Sequence, residues 1–100
     1  MYGLKDADLE IIHQTLKRHP HVVQAILFGS RAMGTHNPGS DVDIALKGSN
    51  LQDTVLEISL YLNQESLLPY QFDIIDYQAI DNEKLLDHIH RVGIVIYEAT

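Results

Sequence analysis

No cysteine occurs in this 100-residue chain. That excludes a disulfide framework and any thiolate zinc site, and it fits a reducing, cytoplasmic setting. Proline is scarce, with three residues, and each falls between periodic segments, so no proline-rich linker is present. No apolar run approaches the roughly 18 residues of a membrane span. The opening "MYGLKDADLE" lacks the basic-then-apolar layout of a secretory signal. Positive charge is also short: 7 Lys and Arg against 14 Asp and Glu leave a formal charge of −7. A nucleic-acid-binding module needs a basic footprint, so neither a nucleic acid nor a membrane is expected as a partner. An acidic surface suits solubility, a basic partner or bound divalent cations.

What is present is globular. Hydrophobic residues make up 45% and charged residues 21% of the chain, enough for one core and too short for two, so residues 1–100 are expected to form a single domain. Leu9, Ile12 and Leu16 recur at helical spacing and predict a helix over 6–19 that Pro20 cannot continue. The β-branched run "VVQAILF" (22–28) predicts a strand buried on both faces. "DVDIALK" (41–47) alternates, with Val42, Ile44 and Leu46 on one face and Asp41, Asp43 and Ala45 on the other. Ser49 and Gln52 have the spacing of a capping box for a helix whose buried stripe is Leu51, Val55, Ile58 and Leu62. A third strand is expected over 70–76, a last helix over 82–92 stopped by Gly93, and a closing strand over 94–98. Helices alternating with strands predict an α/β fold, one mixed sheet of about four strands packed with helices.

The chemistry-bearing residues crowd into "FGSRAMGTHNPGSDVDIAL" (28–46). A buried strand ending in Gly29-Ser30 and feeding a short helix offers backbone N–H groups to an anion, phosphate above all. Gly29 allows close approach of the backbone, and Ser30 adds a hydroxyl donor. Gly34, Pro38 and Gly39 turn the chain back. Asp41 and Asp43, two apart on a strand, project from one face, and two such carboxylates repel unless a cation lies between them. Mg²⁺, which prefers oxygen ligands and substrate phosphates, suits that position. Asp73, between apolar Phe72 and Ile74, becomes a third carboxylate if its strand neighbours that of Asp43, giving a two-metal site. Each feature alone is weak: glycines are frequent in turns, and exposed aspartate pairs at strand edges are common. Their combination makes one self-consistent site.

"GSRAMG-THNPG-SDVDIAL" closely resembles the nucleotidyltransferase signature GS-x₃-G-x₅-SDxD, and "FDIID" resembles the strand carrying that superfamily's third carboxylate. The resemblance runs from the first helix to "HRVGIVIYE" and is to the minimal nucleotidyltransferases, including MntA-type antitoxins of HEPN/MNT pairs, whose sheet is polymerase-palm-like. It implies that Gly29, Ser30, Arg31 and Ser40 bind the nucleotide. It also implies that Asp41, Asp43 and Asp73 are the catalytic carboxylates and hold two Mg²⁺ ions. The implied reaction is attack by an acceptor hydroxyl on the α-phosphorus of ATP, with transfer of AMP and release of pyrophosphate. One departure is Met33, where many minimal members carry Arg (GSRARG), which removes a cation from the loop.

Larger members carry a further domain for the acceptor, and this length leaves no room for one. That favours a protein acceptor, a HEPN-type toxin, with the chain as its antitoxin. The alternative is a non-catalytic nucleotide- and metal-binding module that neutralises such a partner by complex formation. A transferase for an aminoglycoside-like metabolite is the third reading. "RAMGTH" (31–36) also has the R-x₄-H spacing of HEPN ribonucleases, but it falls in a Gly/Pro loop rather than an all-helical fold and reads as coincidence. His88 and His90, two apart on a helix, point different ways and read as surface residues near its end.

Overall fold

The structure is a computed structural model that describes residues 1–100. Its elements follow the expected order: α1 (Asp6–Lys17), β1 (Val22–Phe28), α2 (Gly29–Met33), β2 (Val42–Gly48), α3 (Gln52–Leu60), β3 (Phe72–Asp76), α4 (Glu83–Val92) and β4 (Ile94–Glu98). A π-helical turn, Tyr61–Glu65, extends α3, and a 3₁₀ turn, Tyr77–Ala79, follows β3. The strands form one sheet in the order β3-β2-β1-β4. β1 pairs antiparallel with β2 and β4, whereas β2 and β3 are parallel. A parallel pair needs a crossover, and α3 with its π turn supplies it.

From Ala25 to Phe28, β1 is buried on both faces, as its run of apolar residues predicts, whereas Val23 is 57% exposed. One face carries Val22, Ala25 and Leu27 into the main core with Ile12 and Leu16 of α1, Ile58 of α3, Val42, Ile44 and Leu46 of β2, and Phe72 and Ile74 of β3. The other face carries Ile26 and Phe28, which pack with Ala45 and with Ile89 of α4. The domain is thus three-layered, with α1 and α3 below the sheet and α4 above it. α4 covers only part of the upper face. Asp43 is half-buried and Asp73 is exposed there.

Two buried side-chain arrangements fix the loops around this sheet. Asp8 accepts from the Lys5 N–H at 2.9 Å, capping α1, and from the Tyr70 hydroxyl at 2.6 Å. Asn63, on the π turn, donates its amide to the Phe72 carbonyl at 3.0 Å and accepts from the Phe72 N–H at 2.7 Å. Its carboxamide therefore pairs with the first residue of β3 as a neighbouring strand would.

Two local expectations are corrected. The Ser49–Gln52 capping box does not form: Asn50 takes a left-handed φ of 53° and Leu51 is the N-cap, with no side-chain cap bond. β2 begins at Val42, so Asp41 sits one residue ahead of the strand rather than in it. Gly93 ends α4 as expected, at a φ of −60°. Its role is closeness, since a methyl there would overlap the Ile89 carbonyl and press on Ile26.

Candidate active site

β1 delivers the chain to Gly29 at the sheet's upper face, and there φ turns to +75°. That conformation is cheap only for glycine. The missing side chain matters as much as the dihedral, because a methyl on Gly29 would overlap Asp43 Oδ2 and crowd its Cγ at 3.1 Å. Gly29 is thus the cradle of a carboxylate. Its own N–H donates to His88 Nε2 of α4 at 3.0 Å. Ser30 follows, and its carbonyl receives the Gly34 and Thr35 N–H groups that close α2.

The parallel register puts Asp43 opposite Asp73, the adjacency that the third carboxylate requires. Asp41 lies exposed just before the strand. Partial burial, first, and then the negative charges of Asp73 and Asp41 raise the Asp43 carboxyl above the ordinary 3.8, with the Arg31 cation opposing the rise. Like charges held together without a counter-charge are the electrostatic mark of a cation site. The three aspartates are not drawn onto one point, however: no three His, Asp or Glu side chains converge closely enough to hold a metal as they stand. The donor set is nonetheless all-oxygen and carboxylate-rich, and the Gly29 cradle leaves Asp43 unobstructed. The residues present therefore fit a hard divalent cation such as Mg²⁺.

The remaining residues expected at the site divide. Arg31 turns inward and is 2% exposed. Its guanidinium donates twice to the Ser40 carbonyl (3.2 and 2.9 Å) and once to the Tyr2 carbonyl (3.0 Å), and it lies 5.1 Å over the Tyr70 ring. Arg31 and the Ser40 main chain are a brace that sets the residue before Asp41. The Ser40 hydroxyl accepts from the Asn37 N–H within the loop. His36 packs beside Arg31 against Gly3, but with the guanidinium committed to carbonyls the R-x₄-H spacing stays coincidental. Met33 is 52% exposed at the end of α2. Lys47 lies over the Tyr77 ring at 4.4 Å, toward the far end of β2. The larger surface depression, about 580 Å³ and lined by Gly48, Asn50, Asp53 and Asp76 among others, is also at that far end. It is separate from the carboxylates.

His88 is the residue that sequence reasoning misplaced. Its ring stands edge-on to Phe28 (centroids 6.2 Å apart) and reaches Gly29. Only His90 keeps a surface position, its Nε2 at 2.5 Å from the Tyr77 hydroxyl. The signal was present: His88 follows Leu85 by three and precedes Val92 by four, on the stripe that faces inward.

Comparisons with known proteins bear on the family and the fold. Residues 10–100 match the family described as "Polymerase beta, Nucleotidyltransferase". No curated protein matches the chain by sequence. Among solved structures, a toxin–antitoxin complex with AMP-PNP is similar at 23% identity and a TM-score of 0.75, over 93% of this chain and 75% of that one. An MntA-HpeT toxin–antitoxin mutant matches at 22% identity and a TM-score of 0.73, over 97% and 76%. A Shewanella oneidensis complex of tri-AMPylated HEPN toxin with MNT antitoxin matches at 19% identity and a TM-score of 0.65, over 99% and 74%. At these identities the likeness is one of fold.

Proposed function

The chain belongs to the Polymerase beta, Nucleotidyltransferase family, and from that premise we propose that it transfers AMP from ATP to a hydroxyl on a HEPN-type partner protein, as that toxin's antitoxin. The observation that carries the reading is the pairing of Asp43 with Asp73 in register, with Gly29 open beneath Asp43. In support, similar folds occur in a toxin–antitoxin complex with AMP-PNP and in an MNT antitoxin bound to a tri-AMPylated HEPN toxin.

The chemistry follows from the chain's own groups. Gly29 leaves room for the Asp43 carboxylate, and Ser30 brings a hydroxyl donor to the triphosphate. Asp41, Asp43 and Asp73 would hold Mg²⁺, which supplies charge neutralisation to the phosphates and to the attacking and leaving oxygens. Asp73, exposed on an edge strand, faces the side from which an acceptor hydroxyl arrives and takes up its proton. The acceptor oxygen bonds to the α-phosphorus, the bond to the bridging oxygen breaks, and pyrophosphate leaves. Arg31 and Ser40 act from behind, holding the start of β2.

A second reading, a module that neutralises its partner by binding alone, draws on Met33 and on carboxylates that stand apart. Intact mass spectrometry separates the two. A HEPN-type partner is incubated with this chain, Mg²⁺ and ATP, beside the Asp41→Asn/Asp43→Asn variant. A gain of one or more AMP units with the wild type only is the expected result. No mass change with Mg²⁺ and ATP present, together with neutralisation in excess chelator, sinks transfer and leaves binding.

A further inference from the structure

We propose that His88 is a positioning residue of this site: a neutral imidazole on α4 that holds the Gly29 peptide so that Asp43 fits against it. The proposal rests on the transferase reading. A backbone N–H can only donate, so a bond of 3.0 Å from Gly29 to His88 Nε2 requires a lone pair on that nitrogen. The ring is therefore neutral, with its proton on Nδ1. The contact joins residues 59 apart in sequence, and Phe28 keeps the ring in place by its edge-on packing at 81°. Ile89, the next residue, is buried between the sheet and α4, so the helix that carries the imidazole is itself fixed.

What this bond orients is the peptide entering Gly29. Its plane decides which way the bare side of the Gly29 α-carbon looks, and in the structure that side looks at Asp43. If the plane rotates, the space for the carboxylate closes. The imidazole thus sets a metal-site aspartate without touching substrate. It also occupies one of the N–H groups at the start of α2. Phosphate recognition then falls to donors later in the turn, beginning with Ser30.

This separates positioning from two other roles. If His88 only stabilised the fold, His88→Ala and His88→Gln would lower activity in proportion to lost stability. If it competed with phosphate for the Gly29 N–H, its removal would tighten nucleotide binding. Positioning predicts that His88→Ala lowers kcat by roughly 10- to 100-fold, the range for loss of an outer-shell partner, with the KM for ATP nearly unchanged. His88→Gln, whose amide oxygen can accept the same N–H, recovers most of kcat.

The first measurement needs no turnover: a trans-hydrogen-bond ¹⁵N–¹⁵N coupling between the Gly29 amide and His88 Nε2 in the labelled wild type, with the Nδ1–H tautomer. The kinetics of both variants follow, each checked as folded by its thermal unfolding. Absence of the coupling overturns the proposal, as does an unchanged kcat in a folded His88→Ala protein, a fall in its ATP KM, or equal losses in both variants. An inactive wild type that shows the coupling overturns the transferase reading and leaves the contact standing.

Discussion

Asp8 and Asp43 are the same chemical group in opposite surroundings. Asp8 is buried, yet the Tyr70 hydroxyl, first, and then the Lys5 N–H and ammonium hold its carboxyl below the ordinary 3.8, against the effect of burial. Asp43 receives no such donors. Burial and two neighbouring carboxylates push it upward. The first aspartate is finished by the protein and serves the architecture, tying α1 to the segment before β3. The second has burial and like charges about it, surroundings that a bound cation would relieve. The two shifts run in opposite directions because one carboxyl is given donors and the other is not.

The largest test of this division is to remove the Arg31 brace, whose guanidinium lies over the ring of Asp8's partner Tyr70. Arg31→Met leaves the Ser40 and Tyr2 carbonyls without their donors and strips the cation from the Tyr70 ring. A loss of about 3 kcal/mol is expected in urea unfolding. Arg31→Lys should recover only part, because a point ammonium cannot reproduce the fork. Unchanged unfolding of the Met variant would mean that Arg31 is not a brace.

Tyr70→Phe is the next step down, about 1 kcal/mol at pH 7, and its pH dependence is the sharper reading. Asp8's folded pKa is depressed, so the stability it adds is complete above 3.8 and is lost as pH falls through its folded value. Tyr70's is raised by the Asp8 bond, so its share is complete below 10.0 and fades as pH climbs through the folded value. The gap between wild type and Tyr70→Phe should therefore close at both ends of the pH range. A gap that stays constant from acid to alkali removes the Asp8–Tyr70 bond from the account.

The smallest effect has the opposite sign. Because Asp43's folded pKa is raised, the ionised carboxylate costs stability once pH rises above 3.8 and through the folded value. In chelator at neutral pH, Asp43→Asn should unfold at a slightly higher temperature than wild type. The two should converge below 3.8, and added Mg²⁺ should favour the wild type alone. A destabilised Asn variant in chelator would show that Asp43 is not left wanting a counter-charge.

Sequence and structure meet most fully where the physics is local. Alternation in 41–47 gave the faces of β2, and the apolar run 22–28 gave a strand buried on both faces from Ala25 to Phe28. The stretch from Gly29 to Asp43 placed glycine and carboxylate close in sequence, and the structure packs them against each other. The rest depended on contacts between distant residues. The family resemblance implies Arg31 as a nucleotide-binding residue, whereas the structure turns its guanidinium inward onto Ser40 and Tyr2. His88 reads as surface from its spacing to His90, whereas its place on the Leu85–Val92 stripe turns it inward onto Gly29. The Ser49–Gln52 pattern failed because Asn50 takes a left-handed turn that moves the helix start. That the three aspartates stand apart had no counterpart in the one-dimensional pattern.

Asn63 carries a consequence beyond the bond lengths. β3 is an edge strand, and a strand displaced by a single residue presents its other face to the core. Such a slip would send Asp73 into the interior and bring Phe72 or Ile74 out. The Asn63 carboxamide grips both the N–H and the carbonyl of Phe72, one residue before Asp73, and so works as a proofreading stop. Of the ways β3 could align beside β2, it favours the one that leaves a carboxylate on the open side. The fidelity of the third aspartate is thus written into a helix turn on the opposite side of the sheet, in a residue with no part in the chemistry.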